Sequence, residues 1–154
     1  MAKHDNIHLK KSLGQHFLND REVLLKIKSV IDENTQSLPL LEVGPGAGAL
    51  SAYLKDKEEY KLVEFDKRWA AYLPEEYPEL EGRVILGDFL QLDIKDIFPG
   101  KFAVVGNFPY NISSQIIFKV LDYKDSVPVC IGMFQKEVAK RISGTPGGKE
   151  YSTV

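Results

Sequence analysis

Three clusters in this sequence have the residue types and spacing to do chemistry. The first is Leu41-Glu42-Val43-Gly44-Pro45-Gly46-Ala47-Gly48, a strand pattern running into a glycine-rich turn and then a helical pattern. Glycines in such a turn let the backbone approach a ligand closely. Taken alone the motif also reads as a tight strand-to-helix turn with no ligand. It has a specific rival as well: Gly44-x-Gly46-x-x-Ala49 matches a dinucleotide fingerprint, and Glu64 lies 20 residues beyond Gly44, where an acid binds ribose hydroxyls. At this point a nicotinamide dinucleotide and S-adenosylmethionine fit equally well.

The second cluster is the set of polar residues at the ends of the following strand patterns: Glu64 at the second, Gly87-Asp88 at the third, and Asn107-Phe108-Pro109-Tyr110 at the fourth. In a parallel sheet these carboxyl ends share one rim. A carboxylate at the second strand end can accept two hydroxyl protons and suits a ribose diol. An acid at the third suits the exocyclic amine of adenine, which is a donor. Each acid taken singly also reads as plain surface charge; two at successive strand ends beside a glycine turn favour ligand contact, and with the fourth strand end they favour S-adenosylmethionine.

The third cluster is the Asn107 to Tyr110 corner itself. The amine of adenine is a poor nucleophile because its lone pair is delocalised into the ring. Catalysis then consists of holding that nitrogen in line with an electrophilic methyl group while acceptors take hydrogen bonds from its protons. The Asn107 side-chain oxygen supplies one acceptor, and the carbonyl of Phe108 or of Pro109 another. Tyr110 offers a flat face on which an extruded base stacks. The competing structural reading is an ordinary turn closing a strand.

The elements that must position these clusters alternate. Apolar, β-branched runs at Leu38 to Val43, Tyr60 to Phe65, Arg83 to Leu86, Phe102 to Gly106 and Val127 to Phe134 are separated by helical spacing. This predicts an α/β fold with a parallel sheet covered by helices on both faces. Helices are expected over about Asp20 to Asp32, with Asn19 and Glu22 as a capping box, Gly48 to Lys57, Lys67 to Leu73 stopped by Pro74, Ser113 to Leu121, and Lys136 to Ser143. Trp69, Tyr72 and Leu73 have core spacing, although an aromatic so near Glu64 also has the reach to flank an adenine.

At 154 residues, 44% hydrophobic and 27% charged, the chain has material for one ordinary core, and Lys+Arg 20 against Asp+Glu 22 leaves a formal charge of −2. Gly 12 and Pro 8 exclude collagen-like and low-complexity classes. The single cysteine, Cys130, excludes an internal disulfide and reads as a small core residue in a reducing compartment. No run reaches the roughly 18 apolar residues of a membrane span, and the Met-Ala-Lys-His-Asp start lacks the apolar core of a signal peptide, so the expected location is cytoplasmic. Residues 1–18 form an expected basic arm, with Lys3, Lys10 and Lys11 against one acid, Asp5. Its three histidines have no nearby cysteine, so no metal site is expected. Residues 19–154 form the expected domain.

These motifs, together with Leu13-Gly14-Gln15-His16-Phe17-Leu18-Asn19-Asp20, Val63-Glu64-Phe65-Asp66, Asn111-Ile112-Ser113 and Gln135-Lys136-Glu137-Val138-Ala139-Lys140-Arg141, resemble the KsgA (RsmA) ribosomal RNA adenine dimethyltransferases along nearly the whole chain. The resemblance implies a Rossmann-like S-adenosylmethionine-dependent methyltransferase that N6-dimethylates two adjacent adenosines near the end of small-subunit ribosomal RNA. It implies cofactor contacts from His16, Leu18, Gly44, Gly46, Glu64, Asp88 and Asn107, and a target adenine held by Asn107, Pro109 and Tyr110. Lys3, Lys10, Lys11, Lys140 and Arg141 are candidate RNA phosphate contacts on an immature 30S subunit.

The family continues with two further strands and a small helical domain that have no counterpart before Val154. The expectation is therefore an incomplete domain, with weakened cofactor binding, greatly reduced methylation, and self-association through the open edge of the fifth strand. The rivals are a macrolide-resistance type methyltransferase of large-subunit RNA, a non-catalytic RNA-binding or ribosome-assembly module, and an NAD oxidoreductase.

Overall fold

A computed structural model describes residues 21–108 and 111–134. Its sheet has five strands: β1 (Leu40–Val43), β2 (Tyr60–Glu64), β3 (Val84–Leu86), β4 (Ala103–Asn107) and β5 (Val129–Met133), in the order β3-β2-β1-β4-β5. Every pairing is parallel, with Val43 opposite Val63, Glu64 opposite Leu86, Glu42 opposite Val105 and Asn107 opposite Met133. Parallel strands need helical crossovers, and those helices bury both faces of the sheet, which is why β1 has no exposed position.

The two-residue alternation of the strands sorts the core into two clusters. Leu41, Val43, Val63 and Val104 face α4 (Ile94–Ile97) and α5 (Ser113–Asp122), meeting Ile94, Ile116, Ile117 and Val120. Leu40, Leu62, Ala103 and Val105 face the other way, toward Leu24, Ile27 and Ile31 of α1 (Arg21–Asn34), Leu54 of α2 (Ser51–Leu54) and Leu73 of α3 (Lys67–Glu76). Strand order reverses between β1 and β4. That switch point opens a crevice beyond the carboxyl ends of the strands.

The expected elements are present with some corrections. Pro74 does not stop α3, which continues to Glu76: a proline in the last turn removes one helical amide and the helix ends two residues later. The helix expected from Gly48 begins regular winding only at Ser51, because Gly48 has φ +88°, outside the helical range. Helix α4 and a 3-10 turn at Pro78–Leu80 are additional to the expected elements. Trp69 and Leu73 are fully buried core residues. The expected helix Lys136 to Ser143 and the basic arm lie outside the described residues.

Candidate functional site

The glycine turn is shaped by backbone that side chains resist: Gly44 has φ 70° and Gly46 φ 56°. The Gly44 amide donates to the Val63 carbonyl at 2.9 Å, extending the β1–β2 ladder into the turn. A Cβ on Gly48 would lie 2.8 Å from Tyr77 Cε2, so only glycine lets the turn lie this close to the end of α3.

Glu64 holds this turn against the end of β2. Its Oε1 accepts from the Gly46 amide at 2.9 Å and its Oε2 from the Asp66 amide at 2.8 Å, and the residue is fully buried. A carboxyl group offers about four acceptor positions, the kind of partner a ligand hydroxyl takes. Beneath it, Glu42 is buried in β1 with Oε1 accepting from Ser51 Oγ and Tyr60 Oη, each at 2.6 Å. Burial pushes the Glu42 carboxyl up to about 7, with the nearby Glu64 charge adding to the rise, and the two hydroxyl donors only partly offset this.

At the carboxyl ends of β1, β2 and β3 lies a groove of about 240 Å³. Its apolar walls include Val43, Val63, Phe65, Phe89, Leu90 and Ile112; its polar groups include Glu64, Asp66, Asp88 and Asn111, with no lysine or arginine among the described residues. Asp88 organises the wall beyond β3, accepting the Leu90 amide on Oδ1 at 3.0 Å and the Gln91 and Leu92 amides on its carbonyl. An apolar slot edged by three carboxylates accepts a flat ring with hydroxyl and amine donors and favours a positively charged ligand. It disfavours a pyrophosphate. A larger cavity of about 610 Å³ is lined by Thr35, Leu38, Leu40 and Glu59 at the opposite, amino-terminal ends of the strands, away from these groups.

The Asn107 corner adjoins the groove. Asn107 closes β4, half-buried, while Asn111 and Ile112 from the same corner enter the groove wall. The corner is anchored by Phe108, fully buried and tilted against Phe134 at 5.1 Å between ring centroids. Two glycines make room for that ring. A Cβ on Gly132 would lie 2.4 Å from the Gly106 carbonyl and 2.5 Å from Phe108 Cε2, and one on Gly106 would lie 2.6 Å from the Val43 carbonyl. The β4 corner is thereby seated directly against the strand that leads into the glycine turn.

Of the expected site residues, the structure brings Gly44, Glu64 and Asp88 into one groove and links Gly46 to Glu64. Asn107 stands at the neighbouring strand end and is not itself a groove wall. His16, Leu18, Pro109, Tyr110, Lys3, Lys10, Lys11, Lys140 and Arg141 lie outside the described residues. Sequence reading missed Phe65, 71% exposed beside Glu64, and the walls Phe89, Leu90 and Ile112. Their positions directly after the strand-end acids and the asparagine corner were the available signal. Cys130 is buried in the core, and burial raises its thiol far above the ordinary range, consistent with a packing residue. Among the described residues no group of three histidine, cysteine or acidic side chains is arranged to hold a metal, and no helix is long and apolar enough to cross a membrane.

Residues 6–154 match the family described as Ribosomal RNA adenine dimethylase. Among curated relatives, Ribosomal RNA small subunit methyltransferase A of Parabacteroides distasonis is 52% identical over 143 residues, covering 92% of this chain and 53% of the relative. The protein of the same name from Cytophaga hutchinsonii is 46% identical over 149 residues, covering 96% of this chain and 58% of the relative. The chain thus spans little more than half the length of these relatives. Among solved structures, the 23S rRNA methyltransferase ErmE aligns with a TM-score of 0.68 at 32% identity, covering 84% of this chain and 52% of that one. A dimethyladenosine transferase from Plasmodium falciparum aligns with a TM-score of 0.65 at 29% identity, covering 89% and 50%.

Proposed function

Because this chain belongs to the ribosomal RNA adenine dimethylase family, we propose that it forms the cofactor-binding and adenine-presenting part of an enzyme that N6-dimethylates two adjacent adenosines near the 3′ end of small-subunit ribosomal RNA. The observation that carries the reading is the groove at the carboxyl ends of the strands, edged by Glu64, Asp66 and Asp88 and adjoined by the Asn107 corner. When bound there, S-adenosylmethionine supplies an electrophilic methyl group.

The chain's own residues do the rest by binding and orienting. Gly44 and Gly46 admit the ligand to the backbone. Glu64, at the end of β2, accepts from the ribose hydroxyls, and Asp88 accepts from the adenine amine of the cofactor. His16 and Leu18 complete that side. Asn107, with the carbonyl of Phe108 or Pro109, accepts from the protons of the target amine and favours a pyramidal nitrogen. Tyr110 stacks the extruded base. The proton of the alkylated amine passes to water, so no strong base is required.

Residues 1–18 act in this reading as a basic arm and 19–154 as the domain. Lys3, Lys10, Lys11, Lys140 and Arg141 contact phosphates of the RNA in an immature small subunit in the cytoplasm. The relatives' small-subunit names at 45–52% identity favour this substrate over the large-subunit RNA named for the 32% identical ErmE. The outer edge of β5, which pairs only with β4 among the described residues, supports the further expectation of self-association.

Calorimetric titration with S-adenosylmethionine and with NAD, followed by methyl transfer to immature small subunits read by mass spectrometry, tests the proposal in a chain extended to the length of its relatives. Preference for NAD overturns it.

A further inference from the structure

Lys119 lies in α5, where a lysine ordinarily carries its ammonium into water. Here Nζ donates instead to two backbone carbonyls of the turn after β3, Phe89 O at 2.6 Å and Leu92 O at 2.5 Å. It also stands 4.9 Å from the centroid of the Phe89 ring. Phe89 is buried and forms a wall of the groove, and the turn begins at Asp88. The two charged residues divide the turn between them: Asp88 takes its Leu90, Gln91 and Leu92 amides, and Lys119 takes its Phe89 and Leu92 carbonyls.

Helix α5 follows directly from Asn111 and Ile112, which are also groove walls, and these follow the Asn107 corner. One side chain therefore ties the wall that carries Asp88 to the helix that grows from that corner. Desolvation lowers the ammonium's proton affinity, opposed by the charges of Asp88 and Asp93, so the protein holds this cation in place at a cost that an idle surface lysine does not bear.

We infer that Lys119 is a positioning residue of the cofactor groove, clamping the 88–92 turn so that Asp88 and Phe89 are set for an adenosine ligand before it arrives. The inference rests on the proposed function for the identity of that ligand and not for the clamp itself. Preorganisation of this kind improves affinity by removing an ordering cost from binding.

The test compares wild type with Lys119→Met, Lys119→Gln and Lys119→Arg by hydrogen exchange of the ligand-free chain and by titration with S-adenosylhomocysteine and with adenosine. The Met variant should show selectively faster exchange at the amides of Leu90, Gln91 and Leu92, with β1 and β4 unchanged. Its dissociation constants for both ligands should rise together by about tenfold, an ordering penalty of about 1.4 kcal/mol. Arg, which keeps the cation, should recover most of that loss. Wild-type exchange in the turn, or a uniform loss of protection across the sheet, overturns the clamp. If wild type binds neither ligand, the proposed function fails while exchange still decides the role of Lys119. If the Met variant does not fold, the Gln and Arg variants carry the same comparison.

Discussion

The backbone amide of Gly46 donates to Glu64 Oε1 across 2.9 Å, so the acid at the end of β2 is a structural strap for the glycine turn as well as a candidate ligand group. The second oxygen does the same for Asp66, at the start of the loop into α3. One buried acid therefore fixes the turn geometry on which the proposed cofactor contact depends.

Replacing Glu64 by Gln puts an amide NH2 where a backbone N–H now finds an acceptor. Leaving such a buried donor unpaired costs about 1–3 kcal/mol, so urea unfolding should show a loss of that size. Affinity for S-adenosylmethionine should fall in the same variant, and an unchanged titration would separate the strap from the ligand role.

Glu42 makes stability depend on pH. Its carboxyl is raised from an ordinary 4.5 to about 7, so between these values the folded chain keeps a proton that the unfolded chain has released. The contribution to stability is full below about pH 4.5, is lost as pH rises toward about 7, and stays lost above it; the span is on the order of 3 kcal/mol. Glu42→Gln, permanently neutral, should flatten this part of the curve. Chemical unfolding of both proteins from pH 4 to pH 8, on the order of ten points, reads the difference directly.

Gly132 has no room for a methyl group. Ala at this position meets the Gly106 carbonyl and the Phe108 ring, and overpacking of this kind costs about 1–3 kcal/mol. Because Phe108 anchors the corner, methyl transfer should fall along with stability. Gly100, with nothing within 4 Å of a Cβ, is the control: Gly100→Ala should stay within about 0.5 kcal/mol of wild type.

Asn107→Ala removes the proposed acceptor for the target amine at a residue that is not itself a groove wall. In a chain extended to the length of its relatives, kcat for methylation of immature small subunits should drop by about a hundredfold or more. Binding of S-adenosylmethionine should change far less. Equal losses in kcat and cofactor affinity would place Asn107 on the cofactor and not on the adenine.

Much of this was legible in the residues. The parallel sheet followed from apolar runs separated by helical spacing, because a strand buried on both faces must be apolar throughout, as Leu40–Val43 is apart from Glu42. The rim of polar strand ends followed from parallelism alone, since parallel strands bring Gly44, Glu64 and Asp88 to one edge. Less accessible was Pro74, whose helix-breaking tendency was offset by its place in the last turn of α3. The extent of α2 was misread because Gly48 sits at positive φ, at a place where a Cβ would meet Tyr77 and Leu73 from a later part of the chain.

Residue types and their order thus determined which groups can do chemistry and on which edge of the sheet they emerge, since strand direction and side-chain alternation are local properties. Only tertiary structure decided how those groups are employed. Glu64 takes backbone amides from two loops, Glu42 accepts from hydroxyls of α2 and β2, and Lys119 reaches the turn beyond β3, because burial and long-range packing choose the partners of a charge.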